Sequence, residues 1–200
     1  TYSALISDRY SYYFQAPDPT FPPQKIGILY NTATMTLSTT EPPRAMFKDL
    51  YDDILNSTAT LPGYPGGNSS SFWASGRLPF IATFTTNIGG VNKKVRVIVI
   101  HAKAGADLTS YQRRQYDAQV LKDSIDAYYS NDNVIILGDF NDRLASSIRS
   151  GQVSSYEPFV LDNTHYDALT LPLDQAGQTS FPGDDGMIDQ IIITNPLVPY

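Results

Sequence analysis

The chain of 200 residues contains no cysteine. This absence excludes disulfide bonds, zinc–thiolate sites, iron–sulfur clusters and thiol nucleophiles. Charged residues are also scarce, at 17% of the chain, against about 25% in an average soluble protein. The lack of cysteine together with the low charge favours an exported protein, so we predict an extracellular or periplasmic location.

Long apolar runs and clusters of positive charge are absent as well. The sequence has no stretch of about 18 apolar residues, so it predicts no membrane span. Its 14 lysine and arginine residues are scattered along a chain of net charge −6, and no basic surface for coating nucleic acid is predicted. A metal-dependent enzyme stays compatible with this charge, because a bound cation reverses the local electrostatics. With 42% hydrophobic residues, the chain can bury a core, and we predict a single domain and a monomer.

Hydrophobic patterning predicts a mixture of strands and helices. Strands are predicted at 25–30, 33–37, 78–85, 94–101, 133–137 and 187–194, and helices at 44–55 and from Ser110, the predicted N-cap, to about residue 128. One strand–helix–strand crossover among hairpins predicts an α/β (α+β) fold, a two-layered sandwich with mixed, largely antiparallel sheets. No strand is followed by a glycine-rich nucleotide loop, which excludes dinucleotide-binding and P-loop enzymes.

The segment 134–142 (VIILGDFND) carries the most chemical information. A buried strand is followed there by Gly138, Asp139, Asn141 and Asp142, and in open α/β sheets ligands bind at this end of a strand. An aspartate with an asparagine two residues later can hold a hard cation, orient a water molecule and bind a phosphoryl oxygen. Local spacing alone, however, more often describes a polar turn that caps a strand.

Two other polar residues stand in or at the end of predicted strands. His101 ends the strand 94–101, where it is either a general acid or phosphoryl-oxygen donor or an ordinary end-of-strand residue. Asp189 lies inside the apolar run 187–193, where a buried carboxylate needs a partner. It either holds an imidazole or a metal-bound water, or faces solvent on an edge strand.

The order of these features resembles the endonuclease/exonuclease/phosphatase superfamily, whose members have the deoxyribonuclease-I-like fold. A strand ends in His101, a helix carries two arginines, the next strand ends in Gly-Asp-Phe-Asn at 138–141, and Ile-Asp-Gln-Ile follows at 188–191. The resemblance covers residues 25–194. The segment 77–79 (RLP) is similar to the family's Arg-x-Pro segment, and the segment 101–104 (HAKA) to its His-x-Lys-Ser segment.

This resemblance implies roles for individual residues. Asp139 and Asn141 match the pair that positions the attacking water or the metal and binds the scissile phosphate. His101 matches a histidine that donates to the phosphate, and Asp189 matches an aspartate that supports the catalytic histidine. Arg77 matches a phosphate-contacting arginine. The implied cofactor is Mg²⁺, or another divalent cation such as Mn²⁺ or Ca²⁺, and Asp139 is expected to share in its coordination.

Three motifs of the family are not found in the sequence. They are an asparagine on the first core strand, a Gln-Glu pair whose glutamate holds the metal, and a Ser-Asp-His motif that supplies the general base. We therefore expect residues 1–200 to form one domain that is truncated at both ends and is inactive as a fragment. For the full-length protein the resemblance implies a metal-dependent phosphodiesterase or phosphatase, a hydrolase acting on nucleic acid, a sphingomyelin-like lipid, an inositol phosphate or a small phosphate ester.

Two alternatives to an enzyme stay open on the sequence. One is a binding module on the same fold without turnover. The other is a carbohydrate-binding surface built from Trp73, Tyr64 and further tyrosines, which predicts aromatic side chains aligned on one exposed face.

Overall fold

The computed structural model describes residues 1–16, 19–20, 22–181 and 186–197. The strands within these ranges are β1 (Tyr2–Tyr10), β2 (Lys25–Asn31), β3 (Met35–Leu37), β4 (Arg44–Ala45), β5 (Phe80–Ile88), β6 (Val91–His101), β7 (Val134–Asp139), β8 (Tyr166–Asp167) and β9 (Asp189–Thr194). The helices are α1 (Lys48–Leu55), α2 (Phe72–Gly76), α3 (Leu108–Tyr129), α4 (Glu157–Leu161) and α5 (Leu171–Gln175), with 3₁₀ turns at Ser69–Ser71 and Asn195–Leu197.

A seven-stranded sheet forms the centre of the fold. Its strand order is β3–β5–β6–β7–β9–β8, and β4 pairs with β5. Only β6 and β7 are parallel among the described strands, because α3 connects them as a crossover, whereas the other pairs are antiparallel. The predicted mixed, largely antiparallel sheet is therefore confirmed.

Helices cover one face of this sheet and a two-stranded sheet of β1 and β2 packs on the other. On the helix side, Leu121 and Ile125 of α3 are fully buried in one cluster with Ile98 and Ile136 of the sheet. On the opposite side, Ile26 and Ile28 of β2 are buried in a second cluster with inward residues of β5 and β6. The helix layer on the mixed sheet matches the predicted α/β sandwich.

Two predictions about the helices are wrong, and one strand was missed. Residues 44–55 do not form one helix, because Arg44 and Ala45 pair with β5 as a short strand and the helix begins at Lys48. The N-cap of α3 is Asp107 rather than Ser110, since the Asp107 carboxylate accepts a hydrogen bond from the Ser110 N–H at 2.9 Å. The strand β1 was not predicted at all.

The described helices include none that combines the length and apolar character of a membrane span.

Candidate active site

The ends of three neighbouring strands place His101, Asp139 and Asp189 side by side. The register pairs His101 with Asp139 across β6 and β7, and Asp139 with Asp189 across β7 and β9. Directly paired residues project to the same face of a sheet. The Nε2 atom of His101 lies 3.3 Å from Oδ2 of Asp139, and both side chains are partly exposed. We refer to these three residues as the His101–Asp139–Asp189 row.

Asp189 occupies the solvent-facing end of this row. It begins β9, its residue is exposed, and its backbone N–H donates to the hydroxyl of Ser180 at 3.0 Å. The carboxylate thus faces solvent, but β9 lies between β7 and β8 and is not the edge strand that one interpretation of the sequence assumed; the support of an imidazole or a metal-bound water stays a prediction. That carboxylate nevertheless lies close to Asp139. Burial raises the pKa of Asp139, and the negative charge of Asp189 raises it further.

Gly138 allows β6 and β7 to approach each other at this point. Its φ is 129°, and a Cβ built on it would lie 2.2 Å from the carbonyl oxygen of Ile100. A side chain cannot be accommodated against the backbone at that distance, so only glycine fits at position 138, opposite Ile100. The glycine of the GDFND segment is thus what allows the row to form.

Asn141 binds the side chain of Asp139 and the main chain that follows His101. Its backbone N–H donates to Oδ1 of Asp139 at 2.8 Å, and its Nδ2 donates to the carbonyl oxygen of Ala102 at 3.0 Å. The residue is only 9% exposed and has a φ of 47°. The family resemblance implies that Asn141 binds a phosphate and helps to position the attacking water or the metal; in the structure its amide also ties the end of β6 to the end of β7. Its contact with a phosphate stays a prediction.

Arg77 is engaged in a similar way. Its Nε donates to the carbonyl oxygen of His101 at 2.8 Å, and its Nη2 donates to that of Ala102 at 3.0 Å. A third hydrogen bond joins its Nη1 to Gln24. The side chain is buried, and its burial lowers the pKa of Arg77 to about 10, against the opposing effect of Asp139. Arg77 therefore holds the backbone that carries His101, and its predicted contact with substrate is untested.

Electrostatics differ sharply between the imidazole and the carboxylate of the row. Burial, with a further contribution from the Arg77 guanidinium, lowers the pKa of His101 to about 4. Burial and the neighbouring Asp189 raise the pKa of Asp139, while the Asn141 N–H and Arg77 act in the opposite direction. At neutral pH the imidazole is therefore neutral, and it can either donate or accept a hydrogen bond.

Asp142 has a different function from the residues that precede it. Its fully buried carboxylate accepts hydrogen bonds from the backbone and hydroxyl of Ser155, from the hydroxyl of Ser147 and from the N–H of Ile148. It also lies 3.6 Å from Nε of Arg114, which is equally buried. Asp142 thus organises the loop after β7 from inside the protein, which its place beside Asn141 in the sequence does not reveal.

The described residues contain no cluster of acidic and imidazole side chains that would hold a divalent cation by itself. Among them, no group of three or more histidine, aspartate and glutamate side chains is placed to hold a metal ion. The imidazole and the two carboxylates of the row are neighbours on the sheet, but they do not converge on one point where a metal ion could bind all three. The predicted role of Asp139 as a shared metal ligand stays a prediction.

The structure contradicts a carbohydrate-binding surface built on Trp73 and Tyr64. Both residues are buried, at 0% and 4% exposure. Their rings pack edge-on against Phe72 in the core between α2 and α3. Trp73 and Tyr64, the two residues named for a sugar platform, are part of the hydrophobic core.

No protein-family model and no curated protein matches this sequence. Solved structures do match its fold. The catalytic domain of human Nocturnin, solved with a bound sulfate anion, is 12% identical with a TM-score of 0.53, over 97% of this chain and 60% of that one. An endonuclease/exonuclease/phosphatase from Bacteroides vulgatus is 14% identical with a TM-score of 0.53, over 97% and 65% of the two chains. A third, from Beutenbergia cavernae, is 12% identical with a TM-score of 0.55, over 96% and 46%.

These similarities establish the fold. The deoxyribonuclease-I-like architecture that the sequence resemblance implies is confirmed, since structures described as endonuclease/exonuclease/phosphatase proteins align with nearly the whole chain. The chain spans less than two thirds of the length of these structures.

Proposed function

We propose that this chain belongs to a hydrolase of phosphate esters, with the His101–Asp139–Asp189 row at its catalytic centre. The observation that carries the proposal is the register of three strands, which sets an imidazole 3.3 Å from a carboxylate at one end of the sheet. Its fold, shared with proteins described as endonucleases, exonucleases and phosphatases, supports this class of reaction. Whether the bond is a phosphodiester or a phosphomonoester is not distinguished by the row.

Each residue of the row has a proposed task. The Asp139 carboxylate accepts a hydrogen bond from the attacking water and orients it towards phosphorus. His101, neutral at neutral pH, donates its N–H to a phosphoryl oxygen and so stabilises the negative charge that develops there. Asp189 makes Asp139 more basic, because its charge raises the pKa of Asp139.

Arg77 and Asn141 position these groups. Both bind the carbonyl oxygen of Ala102, the residue that follows His101. Asn141 also fixes the Asp139 carboxylate through its backbone N–H. The two residues therefore limit the movement of the strand ends, so that little reorganisation is needed when the substrate binds.

A divalent cation, Mg²⁺ or alternatively Mn²⁺ or Ca²⁺, forms part of the proposal only through the family resemblance. Asp139 is the one ligand that the resemblance assigns in this chain. The substrate is a phosphate ester, with nucleic acid among the candidates, and an extracellular or periplasmic location and a monomeric state stay predictions.

A non-catalytic binding module is the second candidate. The observation that favours it is the lack of a three-ligand metal group among the described residues. Both candidates share the fold, so only an activity measurement separates them.

The test is hydrolysis of bis(p-nitrophenyl) phosphate and p-nitrophenyl phosphate by the full-length protein, with Mg²⁺ and with EDTA. We expect turnover that EDTA abolishes and that Asp139→Ala lowers by about 10²–10³-fold. Asp49→Ala, at an exposed position on α1, serves as the matched control and should retain activity. Absence of turnover under every condition would reject the hydrolase in favour of the binding module.

A further inference from the structure

A cavity of about 360 Å³ adjoins the row and is strongly cationic. Arg77, Lys103 and Arg113 line it, and none of the described residues that line it is an aspartate or glutamate. None of these three residues forms a salt bridge within the described part of the chain, although most other arginines and lysines there do. In a chain of net charge −6, three cations around one cavity, each without a salt bridge to a described residue, indicate an anionic ligand. We refer to it as the Arg113 cavity.

Arg113 is held in place by neutral groups. Its Nε donates to the carbonyl oxygen of Pro65 at 3.1 Å, and its guanidinium carbon lies 5.9 Å from the centroid of the Tyr64 ring. A Cβ at Gly66 would lie 2.9 Å from its Nη2, so glycine leaves the room that the guanidinium occupies. The Arg113 side chain is therefore oriented by neutral groups and forms no salt bridge with a described residue.

Two aromatic side chains form another part of the cavity wall. Tyr12 is 50% exposed and Phe14 is 41% exposed, and their ring centroids are 6.4 Å apart. Exposed aromatic rings next to cations are the combination by which proteins bind nucleotides, with the base stacked on a ring and the phosphate at the positive charge.

The backbone of the cavity wall is strained. Trp73, Ala74 and Ser75 have φ values of 44°, 51° and 64°, and Tyr12 has a φ of 58°. The N–H of Tyr12 donates to the carbonyl oxygen of Ser75 at 2.6 Å, which joins the two strained segments. Residues in such sparsely populated backbone conformations cluster at ligand sites. This strain is independent of the charge pattern and supports the same location.

We propose that the Arg113 cavity is a subsite for one nucleotide of a single-stranded polynucleotide substrate, next to the scissile phosphate. Its phosphate lies at Lys103 and Arg113, and its base packs against Tyr12 and Phe14. The position of this subsite next to a scissile phosphate rests on the proposed function. Arg77 connects the two places, because it lines the cavity and also holds the backbone of His101. Binding itself does not require hydrolysis, so the two proposals can fail separately.

The test measures binding of a short fluorescein-labelled oligothymidylate to the full-length protein by fluorescence anisotropy, in EDTA so that the probe is not consumed. Arg113→Gln and Lys103→Gln should each weaken binding about tenfold, because each removes a charge-assisted hydrogen bond. Phe14→Ala should weaken it about fivefold or more through lost stacking. The matched control is Arg44→Gln, which removes an exposed arginine outside this cavity and should bind like wild type.

Thermal unfolding of every variant shows whether its fold is intact. If Arg113→Gln disturbs the loop at Pro65, which Arg113 binds, Phe14→Ala still tests the cavity, because Phe14 does not hold that loop. The proposal is overturned if wild type does not bind the probe, if all cavity variants bind like Arg44→Gln, or if inorganic phosphate displaces the probe as effectively as thymidine monophosphate. Binding that depends on Arg113 in a protein without hydrolysis would support the cavity and reject the proposed function.

Discussion

His101 is exposed to opposing electrostatic effects. Its burial and the Arg77 guanidinium disfavour the imidazolium, and its pKa is lowered to about 4. The Asp139 carboxylate, 3.3 Å away and itself next to Asp189, favours the charged form but does not outweigh them. The consequence is a hydrogen-bonding imidazole that carries no charge at neutral pH.

We predict that NMR titration of the folded protein gives a His101 midpoint near pH 4, in line with its lowered pKa, whereas the ordinary histidine value is about 6.5. As the pH falls from 6.5 to 4, the unfolded chain takes up a proton that the folded chain does not, so the free energy of unfolding decreases in that window. His101→Gln should remove this part of the decrease.

Asp139 affects the pH dependence of stability with the opposite sign, because its raised pKa makes protonation favour the folded state as the pH falls.

His165→Gln is the control for the histidine titration, since His165 is 64% exposed and far along the chain from the row. A His101 midpoint near that of an ordinary histidine would contradict the account of its burial.

Asn141 should be important for stability as well as for activity. Asn141→Ala removes the hydrogen bond to Ala102 and leaves an alanine at a φ of 47°. We expect the free energy of unfolding, measured by urea denaturation, to fall by about 1–3 kcal/mol. Asn141→Gly also loses that hydrogen bond but relieves the backbone, so it should be less destabilised than Asn141→Ala. Wild-type stability in the alanine variant would show that the bond and the strained conformation contribute little.

At the scale of elements, the contact between β6 and β7 depends on Gly138. We predict that Gly138→Ala lowers the free energy of unfolding far more than Gly151→Ala, measured by urea denaturation. Both glycines have positive φ, but a Cβ at Gly138 would clash with the Ile100 carbonyl oxygen, whereas nothing lies within 4 Å of one at Gly151. Left-handed strain alone costs about 1–2 kcal/mol. Equal losses in the two variants would mean that the strands can separate without cost.

The strands beside the row could be predicted because their sequences are simple. The segment that becomes β7 is apolar and β-branched up to Gly138, and β6 alternates before it becomes apolar towards His101. By contrast, β1 is hidden because two of its inward-facing residues, Ser7 and Arg9, are polar. An alternation of apolar and polar residues cannot be recognised when the buried face itself is polar.

The site was predictable as a set of residues but not as an arrangement. His101 and Asp139 stand at strand ends that the sequence marks, and Asp189 was expected inside the run 187–193, yet the register that aligns the three residues depends on pairing between distant segments. The backbone contacts of Arg77 and Asn141 were missed for the same reason. Both converge on the carbonyl oxygen of Ala102, a main-chain atom that no side-chain pattern reveals.

At the scale of the whole molecule, the row lies at the end of a sheet face that is unevenly covered. The two-stranded sheet packs over β5 and β6, whereas Ile191 of β9 is 38% exposed and the outward residues Ile6 and Leu29 are 69% and 72% exposed. The aligned structures extend well beyond the length of this chain. A domain completed by further sequence, as the family resemblance implies, would explain these exposed apolar side chains, and it stays a prediction.

We expect His101 and Asp139, whose side chains lie 3.3 Å apart, to act as one unit on a phosphate ester. A double-mutant cycle on the full-length protein tests it, with kcat for bis(p-nitrophenyl) phosphate measured in His101→Gln, in Asp139→Asn and in the double variant. We predict that each single change lowers kcat by about 10²–10³-fold with KM nearly unchanged, and that the double variant is barely worse than the poorer single one. Losses that multiply in the double variant, or a wild-type kcat in Asp139→Asn, would contradict the account.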